Sequence, residues 1–277
     1  MGASDIPVIL IHGLWVHASS WDPWIERFRA AGFAPAAPGW PGDGDTAAGT
    51  RTDPGRLAGV GLDELVAHYG RIVDALDTPP IVIGHSVGGL VAQRLNATYT
   101  LRAAVAISPA PVKGVRPVPL AQLRSSFPAL RWPGNIGRTV PLTAAQFRYA
   151  FGNTLTGTES DDLHARYAIP GPARPLFEIA TANLRRRSPA AVDTGAAGRA
   201  PLLMIAAEQD HTVPAVVVRA AHRLHRDADL VSLPDRGHSL VFDHGWAGVA
   251  ERVETWLEER VTGPLAAAGG DAAGDRA

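Results

Sequence analysis

The stretch Ile81-Val82-Ile83-Gly84-His85-Ser86-Val87-Gly88-Gly89-Leu90-Val91-Ala92 leaves this chain little freedom in how it folds. A short β-branched run predicts a buried strand, an Ala-containing apolar run predicts a helix, and Gly84-x-Ser86-x-Gly88 joins them at a sharp corner. That corner exposes the serine hydroxyl. Side chains at 84 and 88 would collide with the adjoining strand and helix, so glycine stands at both, and the new helix aims its first amides at an oxygen that gains charge.

Strand and helix patterns alternate on both sides of the corner. Residues 6–11 predict a strand running into His12-Gly13-Leu14-Trp15, where Gly13 lets the backbone turn and leave an amide facing a pocket. Trp21, Trp24, Ile25 and Phe28 predict an amphipathic helix over 21–31, capped by Ser19 or Ser20. A weak strand follows at 34–37, and residues 43–61, which are Gly, Ala, Thr and Asp without period, read as a long loop. Leu65, Tyr69, Ile72, Val73 and Leu76 mark a helix over 62–76, and 101–108 is a strand beyond the elbow helix. This order predicts an α/β fold, a mostly parallel sheet covered by helices on both faces.

The alternation stops near Pro111 and resumes with a strand at 201–207, a helix over 215–224, a strand at 229–233 and a helix over 248–260. The expected organisation is a core of 1–110 and 200–262, a helical cap of 111–199, and a disordered tail of 263–277. The cap segment is proline-punctuated and rich in bulky residues. Some of these must line a cavity, and the candidates are Phe127, Trp132, Phe147, Phe151 and Phe177, with Trp15 and His17 from the core.

Composition excludes several classes. A net charge of −1 gives no footprint for nucleic acid, and the absence of cysteine removes disulfides and thiol nucleophiles. No apolar run reaches the length of a membrane span and no signal-type segment opens the chain, so a cytoplasmic protein, monomer or homodimer, is the expectation. No histidine pair has helical metal-binding spacing, so neither metal nor cofactor is expected.

Ser86, Asp210 and His238 each follow a predicted parallel strand, and reacting groups in such sheets gather at the carboxyl ends. A serine hydroxyl is a poor nucleophile until a base takes its proton. His238 can do so, and Asp210 can hold the imidazole in the right tautomer. Glu208 is the alternative acid and His211 an alternative catalytic residue, whereas His85, adjacent to the serine, packs beside the elbow. The developing oxyanion needs donors placed in advance: the amide of Val87, and that of Leu14 with Trp15 as the alternative. His12 props that loop through its ring nitrogens.

With these residues in order, the chain resembles the α/β-hydrolase superfamily: His12-Gly13 after the first strand, Gly84-His85-Ser86-Val87-Gly88 as nucleophile elbow, Asp210 before Val213-Pro214, and Gly237-His238 as the base motif. The resemblance spans residues 6–260 and implies an α/β-hydrolase fold with a cap inserted before the strand that carries the acid. A finer likeness is to the branch of small bacterial esterases, cofactor-free haloperoxidases, plant methylesterases and hydroxynitrile lyases. Ser86 departs from the aspartate nucleophile of epoxide hydrolases and dehalogenases, and Ser239 stands where the hydroxynitrile lyases carry lysine. The expected function is hydrolysis of a small hydrophobic ester or lactone through an acyl-enzyme. The alternatives are carbon–carbon bond hydrolysis or perhydrolase chemistry on the same triad, and a catalytically silent receptor or scaffold.

Overall fold

The computed structural model describes residues 6–262; the tail expected at 263–277 lies outside them. β1 (Pro7–Ile11) leads through a 3-10 turn, Ala18–Trp21, to α1 (Asp22–Ala30) and β2 (Ala34–Ala36). α2 (Ala47–Thr52) and α3 (Leu62–Asp74) precede β3 (Ile81–His85), α4 (Val87–Thr98) and β4 (Ala103–Ile107). The insertion holds α5 (Leu120–Leu130), β5 (Thr139–Val140), α6 (Ala144–Ala150), α7 (Gly157–Tyr167), β6 (Gly171–Pro172) and α8 (Arg174–Ala180). The chain then closes with β7 (Leu202–Ala207), α9 (Ala215–His222), β8 (Ala228–Leu233) and α10 (Trp246–Leu257).

Six strands form one parallel sheet in the order β2-β1-β3-β4-β7-β8. Every residue of β3, β4 and β7 is buried, which is why these strands read as unbroken apolar runs: parallel strands with helices on both faces have no wet side. The outer strands β2 and β8 are only partly covered and carry Pro35, Asp229 and Ser232. Outside the sheet, Trp21, Trp24 and Phe28 are fully buried, and the Trp24 indole donates to the Val241 carbonyl at 2.8 Å. Arg27 of α1 forks onto Glu254 of α10 at 2.9 and 2.6 Å, so the first and last helices hold each other. Among the described residues no helix is long and apolar enough to cross a membrane.

Two local expectations change. Ser19 and Ser20 do not cap α1, because they lie inside the 3-10 turn that precedes it. The cap of that turn is His17, whose Nδ1 accepts the Ser19 amide at 3.1 Å, and Pro23 sits in the first turn of α1. Residues 43–61 are not one long loop. Thr46 caps α2 by accepting the Gly49 amide at 3.0 Å, a further 3-10 turn spans Pro54–Leu57, and Leu57 is buried. So short a helix buries only Ala47 and Thr50, too few positions to show a period.

The insertion forms a helical cap joined by backbone to the turn after β1, where Val16 bridges Ala168; within the cap β5 pairs antiparallel with β6. At the β3–α4 corner a Cβ on Gly84 would run into the Gly88 carbonyl, and one on Gly88 into the carbonyls of Ile11 and His12. Gly84→Ala is therefore expected to lower the free energy of unfolding by about 3 kcal/mol or more, read as a shifted urea midpoint with an unchanged slope.

Candidate active site

β1 and β3 are neighbours, with Ile11 opposite Gly84, and the chain leaves them toward opposite edges of the sheet. Their carboxyl ends therefore open a crevice at the point where strand order reverses. Ser86 stands there with φ 55° and ψ −118°, a backbone state an L-residue keeps only under constraint. The constraint is visible: its carbonyl accepts the amides of Gly89, Leu90 and Ala110 at 2.9, 3.2 and 2.8 Å, and its amide donates to Ile107 at 3.0 Å.

Asp210 follows β7 and is buried with both oxygens engaged. Oδ1 accepts the Thr212 and Val213 amides at 2.7 and 2.8 Å, and Oδ2 accepts His238 Nδ1–H at 2.6 Å. With that proton on Nδ1, Nε2 carries the lone pair, and Nε2 has no hydrogen-bond partner among the described residues. The buried His238 ring lies between His85 at 4.6 Å and Phe151 at 4.9 Å. His85 adjoins Ser86 in the chain and Phe151 shares a cavity with it, so these contacts bring His238 to the elbow. Burial, and then the neighbouring His238, hold the His85 pKa well below the ordinary imidazole value, so its ring is a neutral slab.

The turn after β1 carries Leu14 and Trp15. Neither the Leu14 nor the Val87 amide donates to another described residue. Trp15 has φ 68° and is held from the cap: its indole donates to the Val140 carbonyl at 2.9 Å and its carbonyl accepts the Ile169 amide at 3.0 Å. From beneath, the buried His12 stacks on Trp40 at 5.0 Å, its Nδ1 meets the Gly13 carbonyl at 2.9 Å and its Nε2 meets Asp43 Oδ2 at 3.0 Å. Burial by itself would raise the Asp43 pKa. The His12 hydrogen bond and charge, with the Trp40 amide at 2.9 Å, outweigh it and leave the carboxyl below its usual range.

A cavity of about 210 Å³ opens beside Ser86. Leu14, Trp15, Val87 and Phe151 line it, together with Val112, Val115, Leu176 and Ile179, while Gln122, Ser126, Asn183 and Thr212 supply polar groups. The other residues expected there lie elsewhere. Phe147 stacks behind Phe151 at 4.8 Å, fully buried; Phe177 packs half-buried against the core; Phe127 and Trp132 face outward. His17 is turned to the Gly44 carbonyl at 3.1 Å and to Ser19. Glu208 pairs with Arg219 at 2.5 Å, and His211 meets the Tyr149 carbonyl at 3.1 Å. Aliphatic side chains thus do most of the lining, and nothing in their spacing distinguishes them from core. Asp43 was also missed as a partner of His12, because a contact across 31 residues leaves no local pattern.

The model of the alpha/beta hydrolase family matches residues 8–252. A pyrethroid hydrolase from Sphingobium faniae JZ-2 superposes with a TM-score of 0.64 at 19% identity, over 92% of this chain and 98% of that one. A methylesterase from Arabidopsis gives 0.66 at 15% identity, over 92% and 99%. An extracellular alpha/beta-hydrolase from a Paenibacillus species gives 0.65 at 18% identity, over 90% and 98%. At these identities the likeness is one of fold. No protein of curated function matches the sequence.

The depressed Asp43 carboxyl gives stability that is complete above its unfolded pKa, near 3.8, and is lost as pH falls through its lower folded value. Asp43→Asn is expected to cost about 3 kcal/mol at neutral pH. It should also flatten the decline of stability below that pKa, both effects being read from denaturant curves across acid pH.

Proposed function

The chain belongs to the alpha/beta hydrolase family, and from that premise we propose that it is a serine hydrolase cleaving a small hydrophobic carboxylic ester or lactone through an acyl-enzyme on Ser86. The observation that carries this reading is the 2.6 Å bond between Asp210 and His238 Nδ1. It orients the ring with Nε2 unpartnered, and the ring packs on His85, the chain neighbour of a serine held at a strained corner.

In the first half-reaction Ser86 Oγ adds to the ester carbonyl as its proton passes to His238 Nε2. The negative oxygen of the tetrahedral intermediate is met by the Val87 and Leu14 amides, neither of which is committed to another described residue. Asp210 stabilises the imidazolium. Collapse breaks the bond to the leaving oxygen, and His238 returns the proton to it, giving the alcohol, or the ring-opened hydroxyl of a lactone. In the second half-reaction His238 takes a proton from water, the hydroxide adds to the acyl carbon, and the serine leaves reprotonated with the acid released.

The lining supports the substrate class. Valines, leucines, an isoleucine, Trp15 and Phe151 surround the cavity, and no Lys, Arg, Asp or Glu lines it to pair with a charged acyl group. The cavity's modest volume favours a short or compact apolar group.

The test is intact-protein mass after exposure to a fluorophosphonate, for wild type and Ser86→Ala, with p-nitrophenyl esters of increasing chain length and several lactones as substrates. One adduct on wild type and none on Ser86→Ala is expected, with turnover of the variant about a thousandfold lower or less. Rates should peak at one short chain length. Folded wild type that takes no label would overturn the reading. Labelling without turnover of any ester or lactone would move it to carbon–carbon bond cleavage.

A further inference from the structure

The outer face of α5 carries large apolar side chains where a covering helix ordinarily carries polar ones. Leu120, Leu123 and Phe127, at helical spacing, share one face and are 85, 47 and 62% exposed. Val118 and Trp132, each 62% exposed, and then Ile136 extend the patch past both ends of the helix. A contiguous apolar patch of this kind on a folded chain marks a contact surface.

The segment that bears the patch carries charge of one sign. From 78 to 158 the sequence contains no Asp or Glu. Arg116, Arg131 and Arg138 are exposed and have no ion-pair or hydrogen-bond partner among the described residues for their side chains. A second basic cluster is tied alongside, since Lys113 donates to the carbonyls of Arg185 and Arg186 at 2.7 Å.

We propose that this face docks on an anionic lipid layer. The apolar side chains enter the boundary between headgroups and acyl chains, Trp132 provides an amphipathic ring suited to that depth, and the arginines meet headgroup phosphates. The alternative occupant, a second copy about a twofold axis, would set the patch against itself. Arginine would then face arginine with no carboxylate in the segment 78–158 to answer it.

The patch and the cavity share a rim. Val118 and Leu123 belong to both. A lipophilic ester dissolved in the layer would reach Ser86 without first dissolving in water. That consequence rests on the hydrolase reading above, whereas the docking does not.

The experiment is flotation of Ser86→Ala protein with vesicles of equimolar phosphatidylcholine and phosphatidylglycerol, against pure phosphatidylcholine, at low and high salt. Binding to the anionic vesicles at low salt is expected. It should fall at least about tenfold on pure phosphatidylcholine, in high salt, or when Arg116, Arg131 and Arg138 are changed together to Glu. Leu120→Ser with Ile136→Ser should weaken it comparably. Both sets, made with Ser86 intact, should leave Tm and kcat/KM on a dissolved short-chain ester unchanged. No flotation, or flotation indifferent to both sets, overturns the proposal. So does a dimer by sedimentation equilibrium that these substitutions dissolve while no vesicle binding is seen. Flotation of the Ser86→Ala protein together with wild type that hydrolyses no ester would count against the hydrolase reading alone.

Discussion

The backbone of α4's first turn lies directly against the carbonyls that end β1, and the whole catalytic edge is built on that approach. Only hydrogens fit between them, so Gly84 and Gly88 are required sterically. The same crowding holds Ser86 at φ 55°, with three amides on its carbonyl fixing what the dihedral alone would relax. Strain at one residue is tolerable because the neighbouring strands leave the chain no alternative route.

Around that corner the protein places polar groups where burial makes them expensive and then satisfies them one at a time. Asp210 meets two amides and His238, and Asp43 meets Trp40 and His12 through Oδ2 alone. The exceptions are informative. Asp43 Oδ1, Trp40 Nε1, His238 Nε2 and the two ring nitrogens of His85 are buried without partners among the described residues, and of the two unpartnered imidazoles only His238 is oriented by a carboxylate. The other ring is neutral and serves as packing. Neighbouring imidazoles thus have different chemistry because one has an acid behind it and the other does not.

Much of the fold was legible because the parallel strands are buried on both sides: β3, β4 and β7 appear as apolar runs that no helix period imitates. Ser86 and Asp210 lie just past two such runs, whereas His238 follows β8, whose partly covered run is broken by Asp229 and Ser232. What sequence missed depends on distance. The capping role of His17 required knowing that a 3-10 turn precedes α1. α2 was hidden because a helix of six residues with two buried positions has no readable face. The cavity lining was misjudged because bulk suggested pocket walls: Phe127 and Trp132 face outward and Phe147 stands behind Phe151, while Val112, Val115, Leu176 and Ile179 look like core in any linear pattern.

The bonds from Trp15 to Val140 and Ile169 tie the turn after β1 to the cap by a side chain and by backbone. That turn bears the Leu14 amide, so its position and the cap's are one mechanical coordinate. A lid hinged independently of the sheet would leave that turn untouched, whereas this cap cannot lift from β1 without pulling on it. Whatever displaces the cap at Val140 or Ile169 therefore displaces the Leu14 amide as well.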